Sequence, residues 1–302
     1  MQHDATAWAW PWWTAMVLIS AVNLMLCVRI LRRTAGSVDE PDGKYRKWMR
    51  IMGATFAIVG AYRSVFVCRY STQMAWFDTL ANSSLLIRGF ALCAEVSFSG
   101  QFALALIHAN RDLAMEPAAP TARRFARRAP YVLWGCISLA QVFATTGVIT
   151  KSELSFAIEE TLWCIGFLTV LPLAVRQLRR ASAMRASGRF DQVERFALLA
   201  VLWCAVYCTW SICLNLPTVW PAAVRQIRTG IPEIRHGLSA VRDALLVVHE
   251  SKAWGDWGFG FLFWHSSYFS VCVWLSLFLM SAPRARQQGP GPGRSADGLT
   301  AR

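Results

Sequence analysis

The stretch 82–110, NSSLLIRGFALCAEVSFSGQFALALIHAN, is apolar and long enough to cross a bilayer, yet it carries Arg88 and Glu95 in its interior. About 20 mainly apolar residues span the hydrocarbon as a helix. An ionised side chain there costs at least about 2.5–3.5 kcal/mol, so a span that keeps two of them shelters them inside a bundle or a wet cavity. At about 100° per residue, seven positions return to within roughly 20° of the start. Arg88 and Glu95 therefore share one helical face with Ser84 and Ser99, while Gln101 and His108 fall on the other.

Six more stretches of similar length and apolarity surround this one, at 8–31, 49–68, 130–149, 154–175, 196–216 and 257–280. The composition agrees: 302 residues, 55% hydrophobic, only 16% charged and with fifteen tryptophans, where an ordinary soluble domain is about a quarter charged. The runs are continuous and lack the ten-residue alternation of barrel strands, so helices are expected. The expected fold is all-α, a polytopic membrane bundle of seven transmembrane helices occupying 1–282.

A net charge of +13 raises the question of nucleic acid, and the placement of the charges answers it. With the N-terminus outside, most of the 31 basic residues fall on cytoplasmic flanks: Arg29 to Arg50, Arg111 to Arg128, Arg176 to Arg195 and Arg284 to Arg302. The outer side keeps Arg69, Lys151, Arg225, Arg228, Arg235, Arg242 and Lys252. By the positive-inside rule the N-terminus is outside and the C-terminus cytoplasmic, with a tail at 283–302 that is Gly/Pro/Arg-rich and read as disordered. Anionic inner-leaflet lipid is then the expected partner of the arginines, no nucleic acid is expected, and a plasma or inner membrane is the expected site.

The N-terminal tail has Asp4 and no basic residue, unlike a signal-peptide n-region. Trp8, Trp10, Trp12 and Trp13 read as interfacial anchors. Nine cysteines lie almost wholly within spans and lack metal spacing, so they read as packing residues. Asn82-Ser83-Ser84 forms a glycosylation sequon close to the membrane. In the sixth span Pro217 reads as a stop, followed by an outer loop at 217–256. Within that loop, Ile234, Leu238, Val241, Leu245 and Val248 recur at helical spacing, predicting an amphipathic helix over about 232–250 that lies on the surface or caps the bundle as a lid.

Successive spans run in opposite directions, so position along the chain converts to depth once the topology is set. The result places Arg63, Arg88, Glu95, Glu159, Glu160 and His265 between the middle and the outer boundary, and leaves the inner halves nearly free of charge. Trp76 and Asp78 of the second outer connection lie close to where Arg63 and Arg88 emerge, and of the neighbours Glu159 and Glu160 one is expected to face the bundle. One reading is a buried ion-pair network that fixes helix packing. The other is an outward-facing polar pocket for a small polar or anionic ligand, held by the arginines, with Glu95 or His265 exchanging a proton.

Seven helices with an outer N-terminus is the topology of rhodopsin-like receptors, an analogy of topology alone. All four lysines lie outside the spans, and the inner end of the third span reads His108-Ala109-Asn110-Arg111-Asp112 where such receptors carry Asp/Glu-Arg-Tyr. A zinc hydrolase needs several histidines and an acid at one depth, but His265 lies in the outer part of its span and His108 at the opposite face, so no metal is expected. The reading leans away from an enzyme and towards a sensor or receptor-like module. Alternatives are a proton- or ion-coupled transporter, a lipid-modifying intramembrane enzyme and a structural subunit with membrane-complex partners.

Overall fold

Ser83 begins the helix around which the others gather. Its hydroxyl accepts the Leu86 N–H at 3.1 Å, satisfying one of the amides that a helix start leaves without a partner. The helix that follows, α3 (Ser84–Asp112), is the most enclosed of the long helices. The computed structural model describes residues 3–33, 42–113, 120–184 and 191–283, so nearly all of the tail expected at 283–302 lies outside the described residues.

Around α3 stand α1 (His3–Arg33), α2 (Gly43–Val65), α4 (Pro120–Thr150) and α5 (Glu153–Met184). Next comes a continuous rod built from α6 (Asp191–Trp210), a π-helical turn at Ser211–Asn215 and α7 (Leu216–Thr229). After a long connection, α10 (Phe259–Ser267), a second π-helical turn at Tyr268–Cys272 and α11 (Val273–Leu279) form the last rod. Six of these helical rods are long and apolar enough, by length and composition, to cross a membrane, which makes the chain a helical, multi-pass membrane protein. The exception is α2, whose basic first turns and Arg63 lower its hydropathy although it lies in the same bundle between α1 and α3.

Pro217 does not end the sixth helix. Proline lacks an N–H, but it sits in the first turn of α7, where the Ser211–Asn215 π turn has already replaced the ordinary bonding pattern, and the helix runs on to Thr229. The long connection is accordingly shorter than the expected 217–256 loop. Its helix, α8 (Gly237–Leu246), is also shorter than 232–250, because Gly237 with φ 72° begins it and Val247 leaves helical geometry. Nor does the expected face meet the bundle. Leu238 is 88% exposed, while α8 packs on α3 and α4 and its buried residues are the small Ala240 and Ala244, four apart.

The end of the bundle where the chain starts is closed by a small sheet, an addition to the expected all-α fold. β1 (Cys68–Arg69) pairs antiparallel with β2 (Met74–Ala75), which pairs parallel with β3 (His249–Glu250). Under it lies an apolar cluster of Val67, Met74, Trp76, Trp257 and Leu262, joined by the short α9 (Trp254–Trp257). Trp12 donates to Ser266 Oγ at 2.8 Å and Trp13 to the Val65 carbonyl at 3.0 Å, with Trp13 stacked on Trp76. Those two rings are thus tied into the bundle by their indole N–H groups, while Trp10, 43% exposed, stays at the surface. The Trp8 side chain lies outside the described residues.

Gln226 of α7 ties the α4–α5 turn to this cap. Its amide donates to the carbonyls of Lys151 and Pro232, each at 2.8 Å, and its Oε1 accepts the Glu153 N–H at 2.8 Å. These bonds hold Lys151 at φ 59°, a left-handed conformation that costs a non-glycine residue energy. The Asn82 amide of the sequon is buried and donates to the Val67 carbonyl at 2.7 Å, so it braces the chain and presents nothing to a glycosyltransferase. All nine cysteines are free thiols.

Among the glycines of the described residues, Gly53 of α2 has the closest neighbour, the side chain of Met280 just after α11. A Cβ at Gly53 would collide with Met280 Cγ and meet Gln101 Nε2 at 2.7 Å, whereas a Cβ at Gly89 would meet nothing within 4 Å. Overpacking of this kind costs roughly 1–3 kcal/mol. Gly53→Val is therefore expected to lower the thermal midpoint of the purified protein in detergent by several degrees, and Gly89→Ala to leave it unchanged or raise it.

Candidate functional site

Arg88 is the anchor of the site. It is 2% exposed, about one turn into α3, and donates to Glu95 Oε2 at 2.9 Å and to Gln141 Oε1 of α4. Its other terminal nitrogen lies 3.5 Å from Glu159 Oε1 of α5. Three helices are thereby joined through one guanidinium, whose planar fork of donors suits several acceptors at once. Glu95 also faces Arg63 of α2, 3.9 Å from its Nη1.

Arg63 itself is 8% exposed, and among the described residues it makes no hydrogen bond with its guanidinium. It lies between two rings instead, with its Cζ 5.1 Å from the Tyr70 centroid and 4.8 Å from that of Phe269. Beside it is His265, 2% exposed and enclosed by Trp12, Phe261 and Phe269 at ring distances of 5.6, 5.3 and 4.5 Å.

All six residues singled out from the sequence, Arg63, Arg88, Glu95, Glu159, Glu160 and His265, line one cavity of about 710 Å³. That is the size of a small-molecule pocket. Both acids of the Glu159–Glu160 pair belong to it, where only one was expected to face inwards. The cavity spans the 100° between them, so that Glu159 reaches Arg88 while Glu160 turns to Tyr207 and Asn215 of the next rod. Neither Trp76 nor Asp78 meets the arginines: Trp76 is fully buried in the cap, and the Asp78 N–H donates to Glu250. The helix α8 contributes no lining residue. The mouth is instead bordered by Arg69, Tyr70, Ser71 and Glu153.

Several lining residues carried no decisive mark in the sequence. Tyr70 was one of several polar residues in a loop, and Gln141, which supports Arg88 from behind the lining, was the only long polar side chain in an otherwise uncharged span. The two π turns border the same cavity, one through Leu214 and Asn215, the other through Tyr268 and Phe269. A π turn inserts one residue into the helical register and re-aims the side chains that follow, and such turns recur at functional sites. Five deeply placed polar atoms in the lining, Arg88 Nε, His265 Nε2, Tyr70 OH, Tyr268 OH and Asn215 Nδ2, have no hydrogen-bond partner among the described residues. Buried polar atoms are normally paired, so five in one cavity mark a place where a ligand or water completes the bonding. Burial pushes the Tyr70 phenol up to about 12, so at neutral pH it is a hydrogen-bond donor.

Among the described residues no group of three or more His, Cys, Asp or Glu is arranged to hold a metal ion. His108, at the far end of α3, is stacked on Tyr45 at 3.7 Å. Comparison with protein-family models, with curated proteins and with solved structures finds no match to this chain.

Lys151 fixes the mouth of the cavity, its ammonium donating to the Tyr70 carbonyl at 2.9 Å. Burial first, and the Arg235 charge second, push its pKa down to about 8 from the usual 10.5. Between those values the unfolded chain binds a proton that the folded protein does not, so this group makes folding more favourable as pH rises from about 8 to the ordinary lysine range. Competitive acetylation across pH should show Lys151 titrating near pH 8, well below the other lysines. For Arg88 the expectation is a loss of stability: Arg88→Ala leaves Glu159 buried without its cation and Glu95 with only the more distant Arg63, a change worth about 3–5 kcal/mol. It should appear as a large fall in the thermal midpoint.

Proposed function

We propose that the protein is a seven-span membrane receptor-like or sensor module that takes a small polar ligand into this cavity from the outer face. The single observation that carries the reading is the convergence in one pocket of the six ionisable side chains singled out above and five polar atoms without partners. A network serving only to hold helices together gains most by filling its volume and satisfying its donors. Here the donors are left open around a space of ligand size.

In this reading α2 is the second span, its basic start lying with the other cationic flanks on anionic inner-leaflet lipid and its Arg63 entering the cavity. Support comes from the end-to-end difference in charge: the helix ends away from the cavity carry Arg32, Arg33, Lys44, Arg111, Arg123 and Arg176. That pattern favours an outer cavity and a cytoplasmic C-terminus. The expected location is a plasma or inner membrane.

The two arginines have different roles. Arg88 is engaged by Glu95, Glu159 and Gln141 and positions the carboxylates. Arg63 keeps its donors for an anionic group of the ligand, with His265, Tyr70 and Tyr268 as further contacts.

A second reading, proton- or ion-coupled transport, draws on Glu160, which has no basic residue within ion-pair distance among the described residues. It requires net flux, which proteoliposomes would reveal. For the ligand-binding reading, calorimetric titration of the detergent-purified protein with acetate should show saturable binding. Arg63→Ala should weaken it at least tenfold, whereas the exposed Arg225→Ala should leave it unchanged. Unaltered acetate binding by folded Arg63→Ala removes Arg63 from the site.

A further inference from the structure

The charges lining the cavity do not balance. Three guanidiniums, from Arg63, Arg69 and Arg88, stand against four carboxylates, from Glu95, Glu153, Glu159 and Glu160, with Arg69 and Glu153 at the mouth. Arg88 is taken up by Glu95 and Glu159, and Arg63 lies nearest Glu95. Glu160 is the carboxylate left over, and Tyr207 and Asn215 are its polar neighbours.

The walls at that end of the cavity are aromatic. Trp163 lies 6.1 Å from Tyr207, and Tyr207 lies 6.0 Å from Trp210 and 6.1 Å from Trp264. Trp210 and Trp264 stack almost parallel at 4.5 Å, bridging the sixth and last rods. Tyr268, 5% exposed and 5.6 Å from Trp264, brings a hydroxyl with no partner among the described residues.

We propose that the Glu160 end of the cavity is a subsite for an organic ammonium group, so that the ligand is a zwitterion or a cation and not a simple anion. The proposal rests on the ligand-binding reading above and names the chemistry of that ligand. Ring faces attract an alkylammonium through their quadrupoles, and one carboxylate among them supplies the counter-charge. A hard metal cation is served poorly by such walls, because it requires about six oxygen ligands and the rings offer none. At the other end, Arg63 remains available for an anionic group of the same molecule.

The test uses the full chain in detergent at fixed ionic strength, with tetramethylammonium and acetate titrated separately by calorimetry. Tetramethylammonium is expected to bind saturably. Glu160→Gln and Trp264→Leu should each weaken it at least tenfold while leaving acetate binding within about twofold, and Arg63→Ala should do the reverse. Retention of acetate binding reports that each variant is folded. If acetate binds and tetramethylammonium does not, or if both Glu160→Gln and Trp264→Leu bind it as tightly as the parent, the ammonium subsite is overturned and the pocket stands. If neither probe binds the parent protein, both readings fall together.

Discussion

A guanidinium held in a low-dielectric interior must be answered by opposite charge and by acceptors for its hydrogen bonds, and Arg88 sets that condition for this bundle. Glu95 answers from the same helix, Glu159 from α5 and Gln141 from α4. The helices that supply these groups surround α3, which explains why α3 is the most enclosed. Apolar packing accounts for cohesion, but it is indifferent to which helix lies beside which. The demand for specific acceptors at one depth supplies that choice.

Once such a centre exists, space near it is hard to fill with hydrocarbon. The surrounding chain leaves a cavity instead, and two π turns direct Asn215, Tyr268 and Phe269 towards it. The cap of short strands, with Tyr70 held in place by Lys151, borders the mouth. Cavity, cap and π turns thus lie in the half of the bundle that carries the ionisable groups, while the other half is closed by interhelical glutamine and asparagine bonds such as Gln101 to Met49 and Gln177 to Leu106.

Much of the site was legible because depth follows from topology. Arg63, Arg88, Glu95, Glu159, Glu160 and His265 are far apart along the chain, yet counting inwards from alternating span ends puts them at one level. What periodicity could not convey was how the chain departs from regular helices. Pro217 is a stop signal in an α-helix and loses that meaning beside a π turn, so the sixth rod is longer than its sequence suggests. In α8 the apolar stripe was conspicuous, but alanine allows closer approach than leucine, and the bundle meets Ala240 and Ala244. Tryptophans at a membrane end normally imply the interface, whereas Trp12 and Trp13 found hydrogen-bond acceptors in other segments far along the chain. Each difference comes from tertiary geometry overriding a local preference.

Arg88 and Glu95 are seven positions apart on one helix. Base and acid therefore enter the bilayer together, and their attraction is available as soon as two turns have formed. Neutralisation belongs to this segment before any neighbour arrives, which frees membrane insertion from the order in which the remaining spans assemble. Glu159 and Gln141, on helices made later, then act upon a pair already in place, converting a self-contained dipole into a junction between helices.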